Sequence, residues 1–392
     1  MRVVHVSDCF LPRLGGIEVQ VAGLAKAQAA AGHQVAVITA TPPGDHPPDP
    51  DVPVHHVIAN LPYELPVHPR AGRHLTRLYR TIAPDVVHVH VGAVSPFGWA
   101  AVRAAVRSGL PTVVTVHSMW GAASRALYRA LEATLRWCEW PVVTTAVSEA
   151  AAMLIRQASA GRADVRVVPN GIDLEGWRQR GDNTRAVERG QVHVIAVGRL
   201  APRKQPMTLL RMLRRARQRI PADIELRLTV AGDGPARAGM QRYLRKHRMT
   251  GWVELAGRLD RTEVHDLLAT ADLFIAPAKL ESFGLAALEA RIAGLPVIGR
   301  TSGGITEFVR PGKEGILCDT FGELVDAVVE LATDHGLRER VTEHNRAVLP
   351  THCDWPSVIE SLDGCYALAR RRRPSWSAVP GRRGRQLAAG GR

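Results

Sequence analysis

Two glutamates eight residues apart, Glu281 and Glu289, stand in the stretch ADLFIAPAKLESFGLAALEARIAGLPVIGRTSGGITEFVRPGKEG (residues 271–315). Leu273-Phe274-Ile275-Ala276-Pro277 has the continuous apolar character of a buried parallel strand. Glu281-Ser282-Phe283-Gly284 is a tight turn. Leu285, Leu288 and Ile292 then recur at helical spacing, and Gly294 closes that helix. Pro296-Val297-Ile298-Gly299 is the next strand, and Ser302-Gly303-Gly304 is a second turn that again opens a helix. A strand-to-helix turn leaves unpaired N–H groups at the positive end of a helix dipole, which suits a phosphate.

Cations stand where such an anion would need them. Arg199 and Lys204 flank the turn after the strand at 192–197. A diphosphate requires two cations or a metal, plus backbone donors. The backbone at Phe283, Gly284 and Leu285 supplies the donors. Glu289 lies roughly 8–10 Å along its helix from Gly284, at about 1.5 Å per residue. That offset suits a diphosphate at the helix end and a nucleoside hydroxyl pair further along. Gly15-Gly16, at the start of the first helix, lets backbone approach a ligand closely. His117 ends the strand at 112–116, where α/β sheets bind ligands. Singly, each residue has an ordinary reading: a surface ion pair for Arg199, a solvated lysine at 204, an exposed helix position for Glu289, a satisfied core histidine at 117. Their joint placement at successive strand ends favours a clamp for a nucleotide-diphosphate sugar, with no obligatory metal.

The elements that must position these residues fill a chain of 392 residues, which suits two domains rather than one core. Strand–helix alternation runs through residues 1–176 as one doubly wound α/β domain, and restarts through 177–350 after a polar stretch at 179–190. An amphipathic helix at 351–370 is expected to pack back on the first domain. No GxGxxG accompanies the first βαβ unit, so a nicotinamide-type site is not supported. Five scattered cysteines without a CxxC point to free thiols in a reducing compartment. No signal segment and no 18-residue apolar run is visible, so a cytoplasmic protein is expected.

Four further features are weighed. Asp49-Pro50-Asp51 spells D-x-D, but it lies in a proline-rich loop and reads as incidental. His88 and His90 alternate on one strand and so share a face, but no third ligand is evident. Arg70, Arg73, Arg77 and Arg80 fall on one helical face, either solvated or resting on anionic lipid. Net charge is +14, and residues 370–392 carry eight of those arginines with no acid, leaving +6 for the rest. The tail at 371–392 reads as disordered; contact with an anionic membrane is its sharper reading, and nucleic acid is not expected.

Glu281-Ser-Phe-Gly-Leu-Ala-Ala-Leu-Glu289 resembles the E-x7-E element of retaining glycosyltransferases of family 4, which have the GT-B fold. The resemblance extends to the Gly15-Gly16 loop, Val168-Pro-Asn-Gly-Ile-Asp173, Val197-Gly-Arg-Leu200 with Lys204, Ala231-Gly-Asp-Gly-Pro235, and Ser302-Gly-Gly304 with Glu307. It implies two Rossmann-like domains facing across a cleft, acceptor bound by the first and nucleotide sugar by the second. It implies that Arg199 and Lys204 neutralise the donor diphosphate, Glu289 binds the ribose hydroxyls, and Glu281 contacts the transferred sugar. The backbone of Phe283, Gly284 and Leu285 would touch sugar and phosphate, Arg258 would lie near the base, Gly16 would admit the diphosphate, and His117 would sit by the reacting centre. No cofactor is implied beyond the donor co-substrate, and no metal.

The expected activity is therefore retaining transfer of a hexosyl-type sugar from a UDP- or GDP-sugar. The start of the chain, residues 7–18, is most similar to members acting on small polyols, aminocyclitols or inositol lipids. A small polyol, aminocyclitol or natural-product acceptor is expected first, and a lipid head group such as phosphatidylinositol second. A sugar-nucleotide epimerase of the same fold is a further alternative. A phosphorylase would need a lysine for pyridoxal phosphate, and nothing singles one out.

Overall fold

The computed structural model describes residues 1–13, 15–44, 51–59, 68–178 and 190–372. Asp49 and Pro50 of the D-x-D, the polar segment at 179–189 and the tail from residue 373 lie outside the described residues. The chain divides into two compact units. One is Met1–Thr115 with Leu131–Thr144 and the chain from Leu362; the other is Val116–Ala130 with Thr145–Ser361.

The first sheet has seven strands: β1 (Arg2–Ser7), β2 (Gln34–Thr39), β3 (Val54–His56), β4 (Val86–Val91), β5 (Thr112–Val116), β6 (Val142–Ala146) and β7 (Val165–Val167). Their order is β3-β2-β1-β4-β5-β6-β7. All six residues of β4 and the last five of β1 are buried, as expected of strands covered on both faces. The order reverses between β1 and β4, the place where open α/β sheets take ligands. The helix after β1 runs Gly16–Ala30, three residues earlier than the apolar pattern at 19–31 indicates, because the glycine pair itself opens it.

The second sheet has six strands: β8 (Gln191–Val197), β9 (Glu225–Ala231), β10 (Val253–Gly257), β11 (Leu273–Ile275), β12 (Val297–Arg300) and β13 (Gly315–Cys318). The order is β10-β9-β8-β11-β12-β13, every pair parallel, and it reverses between β8 and β11. Helix Pro206–Arg217 buries Leu209, Leu210, Met212 and Leu213 on one face of this sheet. Helix Leu285–Ile292 buries Ala287, Leu288 and Ile292 on the other, beside Phe283. Each such large side chain is worth roughly 1.5–3 kcal/mol when fully buried. The turn at 281–284 is thus anchored by Phe283 below it and Leu288 beyond it.

One sequence reading is corrected, and three elements are added to those the sequence shows. Ser302-Gly303-Gly304 does not open an α-helix; only a 3-10 turn, Gly304–Glu307, follows. Strand β13 and the helix His335–Ala347 complete the second sheet and its cover, and neither carries a periodic pattern strong enough to stand out in the sequence. Strand β3, three residues at the edge of the first sheet, was equally inconspicuous. The last helix, Trp355–Arg371, places the Tyr366 hydroxyl 3.0 Å from Gln28 Nε2 and 2.9 Å from His88 Nδ1. None of the five cysteines is in a disulfide. Among the described residues no helix is long and apolar enough to cross a membrane.

Candidate functional site

Arg199 follows β8 and Glu281 follows β11, so the two flank the point where the second sheet reverses its order. Between β8 and helix Pro206–Arg217 the chain makes a 3-10 turn, Pro202–Lys204, ended by Gln205 in the left-handed region. That turn presents Lys204, whose Nζ donates to Glu281 Oε2 at 2.5 Å. Glu281 is 8% exposed, so its charge is met by the lysine rather than by bulk water. Arg199 is exposed beside them, with no ion pair among the described residues. A narrow crevice of about 50 Å³ is lined by Arg199, Lys204, Pro206, Leu209, Pro277 and Glu281, among others.

The turn after Glu281 is held by backbone. Gly284 has φ 95° and ψ 56° and is the N-cap of helix Leu285–Ile292, with no side-chain cap. The first amides of that helix are therefore open to an anion. A Cβ at Gly284 would meet Ile305 Cγ1 at 2.9 Å. Phe283 is 1% exposed and packs on Phe308 at 5.3 Å, so only its backbone faces a ligand. Leu285 is half-buried at the first helical position.

The glycines at 303 and 304 pack against this turn. Gly304 N donates to Glu281 O at 2.7 Å, and a Cβ at Gly304 would fall 2.1 Å from Ser282 O. Ser148 Oγ donates to the same Ser282 carbonyl at 2.6 Å. Glu307, at the end of the 3-10 turn, accepts from Glu149 N at 2.6 Å. The Glu281 turn is thus clamped from two sides.

Glu289 is half-buried, one turn beyond Leu285. Desolvation pushes its carboxyl up to about 7, opposed by Arg261, which itself lies over the Trp177 ring at 5.2 Å. Arg258 follows Gly257 (φ 84°) and is exposed. His117 follows β5 and is 7% exposed; burial lowers it to about 4, against a hydrogen bond with Asn170, so the ring is neutral near pH 7. Gly121, four residues on, would bring a Cβ to 3.9 Å from Leu280 Cδ1, so the segment after His117 borders the Glu281 turn. Asn170 was missed as a site residue, although it stands in the quoted Val168-Pro-Asn-Gly segment; its side chain orients the His117 ring.

In the other compact unit, Gly16 is the first residue of helix Gly16–Ala30, and the extended Gly15 before it is the N-cap without a side-chain bond. Asp8 lies at the end of β1, 7% exposed, and accepts from Phe97 N at 3.1 Å. Burial raises its carboxyl to about 6. A lone aspartate after a strand carried no signal in the sequence.

The expectation that His88 and His90 lack a third partner is overturned. His5 on β1 is in register with His88 on β4, and ligating atoms of His5, His88 and His90 all lie within 4.8 Å of one another. They are the kind of nitrogens a transition metal takes. Here they form a hydrogen-bonded row. Gln28 Oε1 accepts from His5 Nε2 at 2.8 Å, which leaves His5 Nδ1 to accept from His90 Nε2 at 2.9 Å. Gln28 Nε2 donates to the Tyr366 hydroxyl, which donates to His88 Nδ1, and His88 Nε2 donates to Thr115 Oγ1 at 2.6 Å. Burial lowers His5 to about 4, so neutral rings suit the row.

Comparison with known proteins now decides the family. The family model "Glycosyltransferase Family 4" matches residues 14–176, and "Glycosyl transferases group 1" matches residues 182–348. The chain belongs to glycosyltransferase family 4. It is 31% identical to a glycogen synthase of Mycobacterium tuberculosis over 405 aligned positions, covering 95% of each chain. It is 28% identical to a D-inositol 3-phosphate glycosyltransferase of Pseudarthrobacter chlorophenolicus, covering 78% of each. A crystal structure of Anabaena Alr3699/HepE in complex with UDP shares the fold, with a TM-score of 0.75 at 18% identity, covering 94% of this chain and 100% of that one. The protein is thus a glycosyltransferase, built from two Rossmann-like α/β domains of the GT-B type.

Proposed function

We propose that this family 4 glycosyltransferase transfers a hexosyl-type sugar, with retention and without a metal, from a UDP- or GDP-sugar to a hydroxyl of a small polyol, aminocyclitol or natural-product acceptor. Donor binding is assigned to the domain at 177–350 and acceptor binding to the domain at 1–176, in the cytoplasm. The observation that carries the donor half is the Lys204–Glu281 contact beside Arg199, at the strand-order reversal of the second sheet. The UDP complex of the HepE structure supports a nucleotide sugar as donor.

Arg199 and Lys204 offset the diphosphate charge as the anomeric C–O bond breaks. The open amides at Gly284 and Leu285 meet phosphate and sugar oxygens, Glu281 meets a sugar hydroxyl, and Glu289 accepts from the ribose hydroxyls. Arg258 lies by the base, and Gly16 admits the diphosphate backbone. The acceptor oxygen attacks on the face from which the diphosphate departs, and its proton passes to the leaving phosphate oxygen. His117, neutral at pH 7, donates or accepts a hydrogen bond at the reacting centre without taking that proton. No pair of carboxylates is needed for this route.

A thermal-shift screen of UDP- and GDP-sugars tests the donor assignment, and the anomeric proton coupling of the product tests retention. Stabilisation by none of them would remove the donor reading. A lipid head-group acceptor is the second reading. The helix Ala71–Ile82 exposes Arg73, Arg77 and Arg80, unpaired among the described residues, while burying Leu75 and Tyr79. Co-sedimentation with phosphatidylglycerol vesicles, lost on replacing these arginines by glutamine, separates the two readings.

A further inference from the structure

On the outer side of the second sheet, the helices Pro206–Arg217 and Phe321–Thr333 border an open depression of about 310 Å³. It is lined by Arg211, Arg214, Arg215 and Phe321. Three guanidiniums gathered in one depression repel one another unless an anion joins them. Among the described residues none of the three has a carboxylate partner.

The carboxylates near by are committed elsewhere. Glu323 accepts from Asp319 N and Thr320 Oγ1, at 2.8 and 2.9 Å. Asp319 accepts from Thr301 Oγ1, and Asp326 pairs with Arg219. The arginines are instead held by groups that leave their charge intact. Arg214 Cζ lies over the Tyr243 ring at 5.9 Å, and its Nη1 donates to His247 Nδ1 at 2.9 Å. Arg215 Cζ lies over the Phe321 ring at 5.3 Å. Arg214 Nε is buried and donates to nothing. A buried donor left unmet costs free energy that a bound acceptor would return. The Arg214 and Arg215 guanidiniums are thus fixed in place by π faces and a neutral imidazole, with donors still to be used.

We propose that this depression binds a compact phosphate monoester, distinct from the donor crevice. A phosphate dianion offers three terminal oxygens to three planar forks, the match at which arginine excels. The volume sits at the small end of ordinary ligand sites and exceeds what a bare phosphate fills, so the ester's organic part lies against Phe321. The helix that carries the three arginines also supplies Pro206 and Leu209 to the donor crevice. A ligand here and a donor there therefore bear on opposite ends of one helix.

Calorimetric titration of the full chain with inorganic phosphate and with phenyl phosphate tests the site. The titration is repeated on the Arg199→Ala/Lys204→Ala variant, which silences the donor crevice. One saturable site is expected in both proteins, with phenyl phosphate bound at least fivefold tighter than phosphate. Arg214→Gln with Arg215→Gln should weaken both ligands at least tenfold. Arg211→Gln, at an exposed position, should weaken them severalfold in a protein that unfolds at the unaltered temperature. Phe321→Leu should erase the phenyl advantage alone. Binding that vanishes in the donor-crevice variant, or that survives the arginine changes, overturns the proposal.

Discussion

The Lys204 ammonium lies 2.5 Å from the Glu281 carboxylate, joining the turn after β8 to the turn after β11 across the strand-order reversal of the second sheet. In the absence of donor the lysine already has an anion. A diphosphate must therefore share Lys204 with Glu281, whereas Arg199 is exposed and uncommitted.

Arg199→Ala and Lys204→Ala are each expected to cost about 2 kcal/mol or more of transition-state stabilisation, roughly a thirtyfold fall in kcat/KM. Lys204→Ala should also lower the unfolding temperature, because it leaves the nearly buried Glu281 without its cation, while Arg199→Ala should not. Steady-state transfer assays with thermal melts read both effects. Unchanged transfer in both variants would sink the charge-stabilisation mechanism.

Glu281→Gln separates affinity from turnover. It removes a negative charge beside the diphosphate position and releases Lys204, so a nucleoside diphosphate should bind severalfold tighter. Transfer should nevertheless fall, since the sugar hydroxyl loses a charged acceptor for a neutral one. Equilibrium dialysis against UDP or GDP checks the first part; weaker binding would contradict the shared-lysine reading.

The pH dependence of stability has two opposed components. Glu289, raised to about 7, holds a proton in the folded state that it loses near 4.5 when unfolded. Its contribution is present at low pH and is lost as pH rises through that window. His5 and His117, lowered to about 4, work the other way: the unfolded chain takes up protons from about 6.5 downward before the folded one does. Asp8, raised to about 6, acts with Glu289, so the two carboxyls largely offset the two histidines and stability should vary little between pH 6.5 and 4.5. Glu289→Gln removes one of the opposing carboxyls and should make stability fall more steeply as pH drops from 7 to 5. A Glu289→Gln curve parallel to that of the unaltered protein would show that Glu289 does not titrate there.

Gly304→Ala probes the clamp on the Glu281 turn. A methyl 2.1 Å from the Ser282 carbonyl forces the two turns apart and breaks the 2.7 Å bond from Gly304 N to Glu281 O. Overpacking of this kind typically costs about 1–3 kcal/mol, and donor affinity should fall with it. Full activity and an unaltered melting temperature would show that the turn does not depend on this contact.

Much of the second sheet was legible because its chemistry is local. Arg199, Lys204, Glu281 and Gly284 each sit at the end of an apolar run, and strand ends can be found in a linear sequence. What depends on strand order could not be found. His5 stands 83 residues from His88 in the sequence, and they meet only because β1 pairs with β4. The Ser302-Gly-Gly304 turn was misread for a related reason. Its glycines look like a phosphate turn in isolation, and only the carbonyl of Ser282 reveals that the missing side chains make room for backbone. Strand β13, four residues without alternation, gave no pattern to read.

The hydroxyl of Tyr366 completes a row of polar groups that begins at His5. A ribosome delivers His5 long before Tyr366. Until then the inner face of β1 and β4 holds imidazoles with no lid and an amide with no acceptor. The row in the first unit can therefore be completed only once the segment from Leu362 has been made. Nascent chains arrested before residue 362 are expected to be cut by protease within residues 1–115, and full-length chains to resist.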